Sequence, residues 1–564
     1  MSGGATRQPV PGLGATACRP VCVHAVLGIL VVFRVLASAT AAVAADEELA
    51  FRVRPYLQNP AADGMTVRWL SDSSEPGIVT CDDRTFTSAP RLCRELAYGA
   101  TEPTGRQHPS PPFLHSLRIS GLQPATSYPY TVTQDGTALR AVLTTSPRPG
   151  TVGRGGAVRL FFLADCRARR DPPADTAAWP PTTALPGGPR PRWVGDRYPV
   201  DRATGYRMNL ALIADRAAES LRAGNPVLGC IAGDLVEHGG MQRDWDQFWL
   251  HNAGSLGTLA SRVPLVVAFG DRDIFGGPRS GDPLRDLGGY TADAVLIAAR
   301  RLLTYFEHPE NGAGDERHEG RYHRIDFGPV TLLTLDTTNG GTDGGPDDTN
   351  HELDRRDAPG VPDYAEGSEQ RAWLERELID ARRRGVVTFV MFHHAPFSSG
   401  PQGRPPGEAI GQDRHSGRPL RALAPLFAAH GVRAVFTGHE QAYEHSAADG
   451  VHYVAVGSAG GDLPGPQPGL VNERQIFSAQ DRAPERWESD VLASGGRHYG
   501  HVEVDVTPRP GGGGFTVSIT PVYVFPVLDP QVPGEVVTWQ RRTYDDVRTF
   551  DVGPMTTLEP EEKP

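Results

Sequence analysis

Several polar residues in this sequence sit where long apolar runs stop. VRLFFLAD ends on Asp165, VLGCIAGD on Asp234, PLVVAFGD on Asp271, VVTFVMFHH on His393 and His394, and VRAVFTGH on His439. Carboxylates and imidazoles brought together make a site for a hard-to-borderline divalent cation. Runs of this kind read as buried strands, and in an open α/β sheet the carboxyl ends of the strands converge on the ligand crevice. A further run, VTLLTLD, ends on Asp336, which has no metal-motif context. One Asp at a strand end means little, because Asp also caps the helix that follows; the ordered series means more. The competing reading of Asp271-Arg272-Asp273 is a solvated loop with a local ion pair, and that of His394 a satisfied core histidine. His393 reads as a neighbour that orients the site. His238, His251 and His445 read as ordinary polar residues, His238 lying near the crevice.

The elements that must position these residues follow from the same pattern. Continuous apolar runs are strands buried on both faces, as in α/β folds, and helical stretches lie between them. SEQRAWLERELIDARRRG (368–385) predicts a helix with Ser368 as N-cap, arginines in its last turn and Gly385 at its end. A second helix is predicted over Tyr206 to Arg222. Before these, residues 46–148 predict a small all-β domain. Short alternating strands such as MTVRWL are separated by Gly, Pro, Asp and Ser clusters, and SLRISGLQPATSYPYTV resembles two strands of a fibronectin type III module. Ser146 to Gly156 is a linker by composition. Arg167–Gly205 and Asn339–Glu366 are Pro/Gly/Asp-rich insertions, functional or mobile. Val502 to Val527 alternates like edge strands, and 529–564 reads as a C-terminal tail, polar from Pro554.

Residues 1–45 predict an export signal. Arg7 and Arg19 precede the apolar AVLGILVVF (25–33), and Ala42-Val43-Ala44 resembles a cleavage site. The apolar run is short for a membrane span and Arg34 interrupts it, so the expected location is secreted or within the cell envelope. Cys81 and Cys93 are close enough in sequence to pair in an oxidising compartment; Cys166 and Cys230 read as small buried apolar residues. With 564 residues the chain is long enough for two or three domains. A formal charge of −11 argues against a nucleic-acid partner, which requires a basic face. Lys563 is the single lysine, so nearly all positive charge is arginine.

The order of the strand-end residues resembles the calcineurin-like metallophosphoesterase superfamily, and the N-terminal stretch VRPYLQNPAADGMTVRW resembles the module that precedes the catalytic domain in purple acid phosphatases. YHRIDFGPVTLLTLDT, QRAWL, HAPFSSG and GHEQAYEH support this. The resemblance implies a metallophosphoesterase β-sandwich flanked by helices over 155–528, within an α/β fold class. It also implies two metals about 3.5–4 Å apart that clamp a phosphate ester and activate water. Carried onto this sequence, Asp234 bridges the metals, and Asp271, His394 and His439 complete one metal's set. Asp271 and Arg272 stand where the family has Asn and His.

The other metal's set departs further. Asp165 matches, but Arg167 stands where many members have His, Gln441 stands for the second His of G-H-x-H, and Glu237 occupies the position of the purple acid phosphatase Tyr. A first site built from Asp165, Asp234, Glu237 and Gln441 would be oxygen-rich, favouring manganese, magnesium or calcium over iron, with zinc also open for the centre as a whole. Arg272 cannot donate a proton at neutral pH, but it can grip phosphate through paired hydrogen bonds. Two functions therefore stand. One is an exported metal-dependent phosphoesterase using Asp234 and Arg272 in catalysis. The other is a catalytically impaired one-metal or metal-free homologue acting as a phosphate-binding or surface protein. Substrate, mono- versus diester preference and oligomeric state stay open.

Overall fold

The computed structural model describes residues 50–99, 102, 110–169, 176–178, 197–278, 289–339, 349, 360–400, 415–463, 472–479, 486–488, 491–494, 498–528 and 536–553. The expected export signal, most of both insertions and the segment beyond 553 lie outside these residues. Among the described residues no helix is long and apolar enough to cross a membrane.

The alternating N-terminal strands pair into two antiparallel four-stranded sheets, one containing Val53–Ala61, Gly64–Ser71 and Phe113–Ser120, the other Ile78–Cys81, Ser127–Gln134 and Thr137–Thr144. Trp69, Val79, Leu117, Ile119, Tyr130 and Val132 fill the space between them. Trp69 stacks on His115 at 4.7 Å and donates its indole N–H to Gln134. The outer face of the first sheet is buried too. Tyr56 packs at 4.3 Å on Trp249, in a core shared with Leu70, Leu96, Tyr305 and Phe306. The Tyr305 carbonyl accepts hydrogen bonds from Tyr56 Oη, Gln58 Nε2 and Arg68 Nη1, which ties this module to the next. Cys81 and Cys93 are both free thiols. Cys81 points into the sandwich core, whereas Cys93 belongs to the shared one, so the two face different cores.

The rest of the described chain builds two seven-stranded sheets. In one, Leu265–Val267, Val227–Ile231 and Val158–Leu163 run parallel, and Gly500–Pro508 joins antiparallel beside Val158–Leu163. In the other, Val330–Thr334, Val387–Met391, Ala434–Thr437 and Val451–Val456 run parallel, with antiparallel strands at both sides. The sheets stack face to face through Phe162, Phe389, Phe436 and the valines around them; Phe162 and Phe436 lie 3.6 Å apart, centroid to centroid. Both-face burial is what continuous apolar runs require. Helices Arg202–Arg222, Gln242–Asn252 and Ala292–Tyr305 cover one outer face, and Glu369–Arg384 and Ala424–Ala429 the other. Ser368 caps its helix by accepting the Arg371 N–H, and Gly385 ends it at φ 66°, a left-handed turn that glycine enters without a Cβ clash.

The C-terminal region differs from expectation. Gly500–Pro508 lies mid-sheet rather than at an edge, and Val536–Thr543 and Arg548–Val552, placed by composition in a tail, both pair with Phe515–Leu528. Alternation there marks strands with one solvated face: Thr549 and Asp551 are exposed, whereas Arg548 and Phe550 are half-buried and Val552 is buried. Asp546, between those two strands, accepts hydrogen bonds from Tyr443 and His445 in the second sheet, so this segment holds the two sheets together. Glu444, beside them, accepts the Ser399 N–H and Asn472 Nδ2–H. Burial nevertheless pushes its carboxyl up from 4.5 to about 7. Between those values the folded chain keeps a proton that the unfolded chain has released, so this group's contribution to stability falls as pH rises across that window and is lost above it. Thermal melts of Glu444→Gln against the parent at pH 5 and pH 8 are expected to show the variant relatively more stable at pH 8; an unchanged difference at the two pH values would remove Glu444 as the cause.

Candidate metal centre

The parallel strands of both sheets end on one side of the sandwich, and the chain turns sharply as it leaves several of them. Asp165 (φ 54°), Asp234 (φ 55°) and His439 (φ 72°) all adopt left-handed backbone conformations, which are sparsely populated for non-glycine residues and together store several kcal/mol, at about 1–3 kcal/mol each. Asp273, fully buried, ties the Asp234 turn to the loop that carries Asp271. Its Oδ1 accepts the Leu235 N–H and its Oδ2 the Gly270 N–H, at 2.9 and 3.0 Å. Gly270 lies so close to the Asp234 turn that a Cβ there would meet Asp234 N at 2.2 Å.

The side chains converge in two overlapping groups, Asp271-His393-His439 and Asp165-Asp234-His393, each with ligand atoms within 4.8 Å of one another. All are buried, Asp165 and His393 completely. His393 is the hub. Its Nδ1 lies 2.8 Å from the Ala232 carbonyl, to which it must donate. Its Nε2 therefore faces Asp271 Oδ1 at 2.9 Å and Asp234 Oδ1 at 3.3 Å either as the N–H of an imidazolium or as a lone pair requiring a cation. His439 Nδ1 reaches the same Asp271 oxygen at 3.1 Å. Asp234 Oδ1 also accepts the Arg272 N–H at 2.9 Å. Asp165 has both carboxylate oxygens buried with no hydrogen-bond partner; burial pushes its carboxyl well above the usual range. Burial works against the charge on Asp271 as well, but hydrogen bonds from His393 and His439 hold it well below. Orphaned carboxylate oxygens and an imidazole tautomer fixed by a carbonyl are the donor set of a divalent-cation site, and these residues fit one such ion.

Not every expected ligand arrives. His394 is not a member of either group. Its Nδ1 lies 3.0 Å from Thr337 Oγ1 and its ring sits 4.5 Å from that of His439; His393 takes the central place instead. The two histidines are adjacent on a strand end, so their side chains leave in different directions, and sequence spacing alone cannot choose between them. Glu237 is held by Arg167 through paired hydrogen bonds of 3.1 and 2.7 Å, with Arg202 at 3.7 Å. Burial opposes its charge, yet Arg167 brings its carboxyl down to about 2. Gln441 turns its Oε1 to the Asp462 N–H at 2.9 Å. Glu237 stands outside both groups, its carboxylate engaged by Arg167, and the Gln441 amide oxygen faces the Asp462 backbone. Arg272 lies 3.5 Å from Asp271 Oδ2 and stacks 5.5 Å from the Phe275 ring, with its side chain 21% exposed. Asp336 pairs with buried Arg321. His238 bonds to buried Asp244 at 2.6 Å, a contact that no motif announced.

Residues 205–443 match the family model described as calcineurin-like phosphoesterase. Over that stretch the chain is similar to calcineurin-like phosphoesterases. Its fold is that of purple acid phosphatase PPD1 from yellow lupin (Lupinus luteus) seeds, at 17% identity and a TM-score of 0.52, covering 86% of this chain and 73% of that one. GAP50, the anchor in the inner membrane complex of Plasmodium, aligns at 11% identity and a TM-score of 0.33, over 72% of this chain and 91% of that one. The phosphopantetheinyl hydrolase of Mycobacterium tuberculosis aligns at 14% identity and a TM-score of 0.23, over 57% and 97%. No curated protein sequence matches the chain.

Proposed function

We propose that this calcineurin-like phosphoesterase domain hydrolyses phosphate esters with a divalent cation held by Asp271, His393 and His439 together with Asp234 and Asp165, and that the chain is exported by its first 45 residues. The observation that carries the reading is the hub itself: His393 Nε2 aimed between two buried carboxylates, beside the unpartnered oxygens of Asp165. A cation bound there would stabilise charge on a phosphoryl oxygen and make water a stronger nucleophile. The chain's own residues do the rest. Asp273 holds the turns that present Asp234 and Asp271. Arg272, partly exposed next to Asp271, supplies a planar fork for two phosphate oxygens. It cannot protonate a departing alkoxide.

Metal-stripped protein is expected to regain hydrolysis of aryl mono- or diesters on addition of manganese, zinc, iron or magnesium. Bound metal without turnover on any ester would sink the catalytic proposal and leave a phosphate-binding protein. Nitrophenyl esters, whose leaving group needs no proton, are expected to outpace alkyl esters. Arg272→His is expected to raise alkyl-ester turnover by up to about 100-fold, the lower end of what a general acid contributes, with little gain on nitrophenyl esters. An equal change on both would take Arg272 out of the explanation.

A further inference from the structure

We infer that the centre holds a single divalent ion, and that the Arg167 guanidinium, paired with Glu237, takes the place of a second cation. This rests on the metal-dependent reading above and concerns the composition of the same site. Three observations carry it. Both ligand groups depend on His393, and its Nε2 has one lone pair, which can bind one ion. Without that nitrogen the second group keeps only Asp165 and Asp234. The two further oxygen donors that sequence spacing offers on that side are committed elsewhere, Glu237 to Arg167 and Gln441 to the Asp462 N–H. Arg167 is itself buried, two residues from Asp165, with its backbone N–H on the Asp234 carbonyl at 2.9 Å.

A guanidinium differs from a metal ion in ways that matter. It is permanently charged, binds no water tightly enough to acidify it, and cannot be removed by a chelator. The Glu237–Arg167 pair therefore fixes charge compensation in the fold, whereas the Asp271–His393–His439 side depends on supply of an ion.

The test is metal stoichiometry, which does not require turnover. Full-length protein is saturated with manganese or zinc, passed over a desalting column and analysed by elemental mass spectrometry, with calorimetric titration by the same ion as a second measure. One ion per chain is expected for the parent. Arg167→His removes the guanidinium, frees Glu237 and adds a neutral imidazole, so two ions per chain are expected; Arg167→Lys keeps the charge and is expected to stay at one. Two ions, or none, in the parent overturns the inference, as does a folded Arg167→His variant that remains at one. Should Arg167→His fail to fold, the parent's calorimetric stoichiometry decides alone. A parent with one ion and no phosphoesterase activity would defeat the proposed function while leaving the one-ion centre intact.

Discussion

His393→Ala is expected to weaken binding of zinc or manganese by more than about 100-fold, beyond the 10- to 100-fold typical of removing a group that only supports a ligand, whereas His394→Ala is expected to fall within that smaller range. The reason is positional. His393 Nε2 is shared by both ligand groups and its other nitrogen is locked by the Ala232 carbonyl, so its loss leaves Asp271 with His439 and Asp165 with Asp234, two pairs and neither group complete. His394 instead contacts Thr337 and the edge of the cluster. Calorimetric titration of both variants with one metal measures the difference directly. The opposite ranking would mean that the H-x-P spacing identifies the ligand and that the observed convergence on His393 does not persist when the ion binds.

Arg321→Met is expected to destabilise the fold by about 3–5 kcal/mol, the usual effect of leaving one member of a buried ion pair alone. Arg321 and Asp336 are 1% and 0% exposed, with Nε and Oδ2 at 2.5 Å. Arg321 also lies 4.5 Å over the ring of Phe269, two residues before Asp271, so the pair supports a strand end that delivers a ligand. Asp336 has another structural duty, accepting the Thr338 N–H. Urea unfolding should therefore show a lower midpoint for Arg321→Met, and partial recovery when Asp336→Leu is added, since two apolar groups of matched volume can replace a buried pair with little loss. A midpoint within experimental error of the parent would show that the Arg321–Asp336 pair does not stabilise the native protein.

The buried strands, the helix capped by Ser368 and Gly385, a second covering helix, and the identity of most acids at the centre were legible from local pattern. Burial on both faces writes itself as an uninterrupted apolar run, and a cap writes itself as Ser368 and Gly385. Family resemblance then ordered those acids into a site. What it could not supply was competition between neighbours. Glu237 and Gln441 have suitable oxygens, but Arg167 and the Asp462 amide reach them first. The choice between His393 and His394 turns on which ring a strand end aims inward, and the free state of Cys81 and Cys93 on which core each faces. Composition likewise hid the last two strands, because their apolar positions alternate with solvated ones and they are placed by pairing with Phe515–Leu528. Residue type and spacing are local properties and survive in the one-dimensional chain. The partner a charged or polar atom finds depends on groups distant along it, such as Glu237 from Arg167 and Asp546 from Tyr443, and those meet only once the sheets have packed.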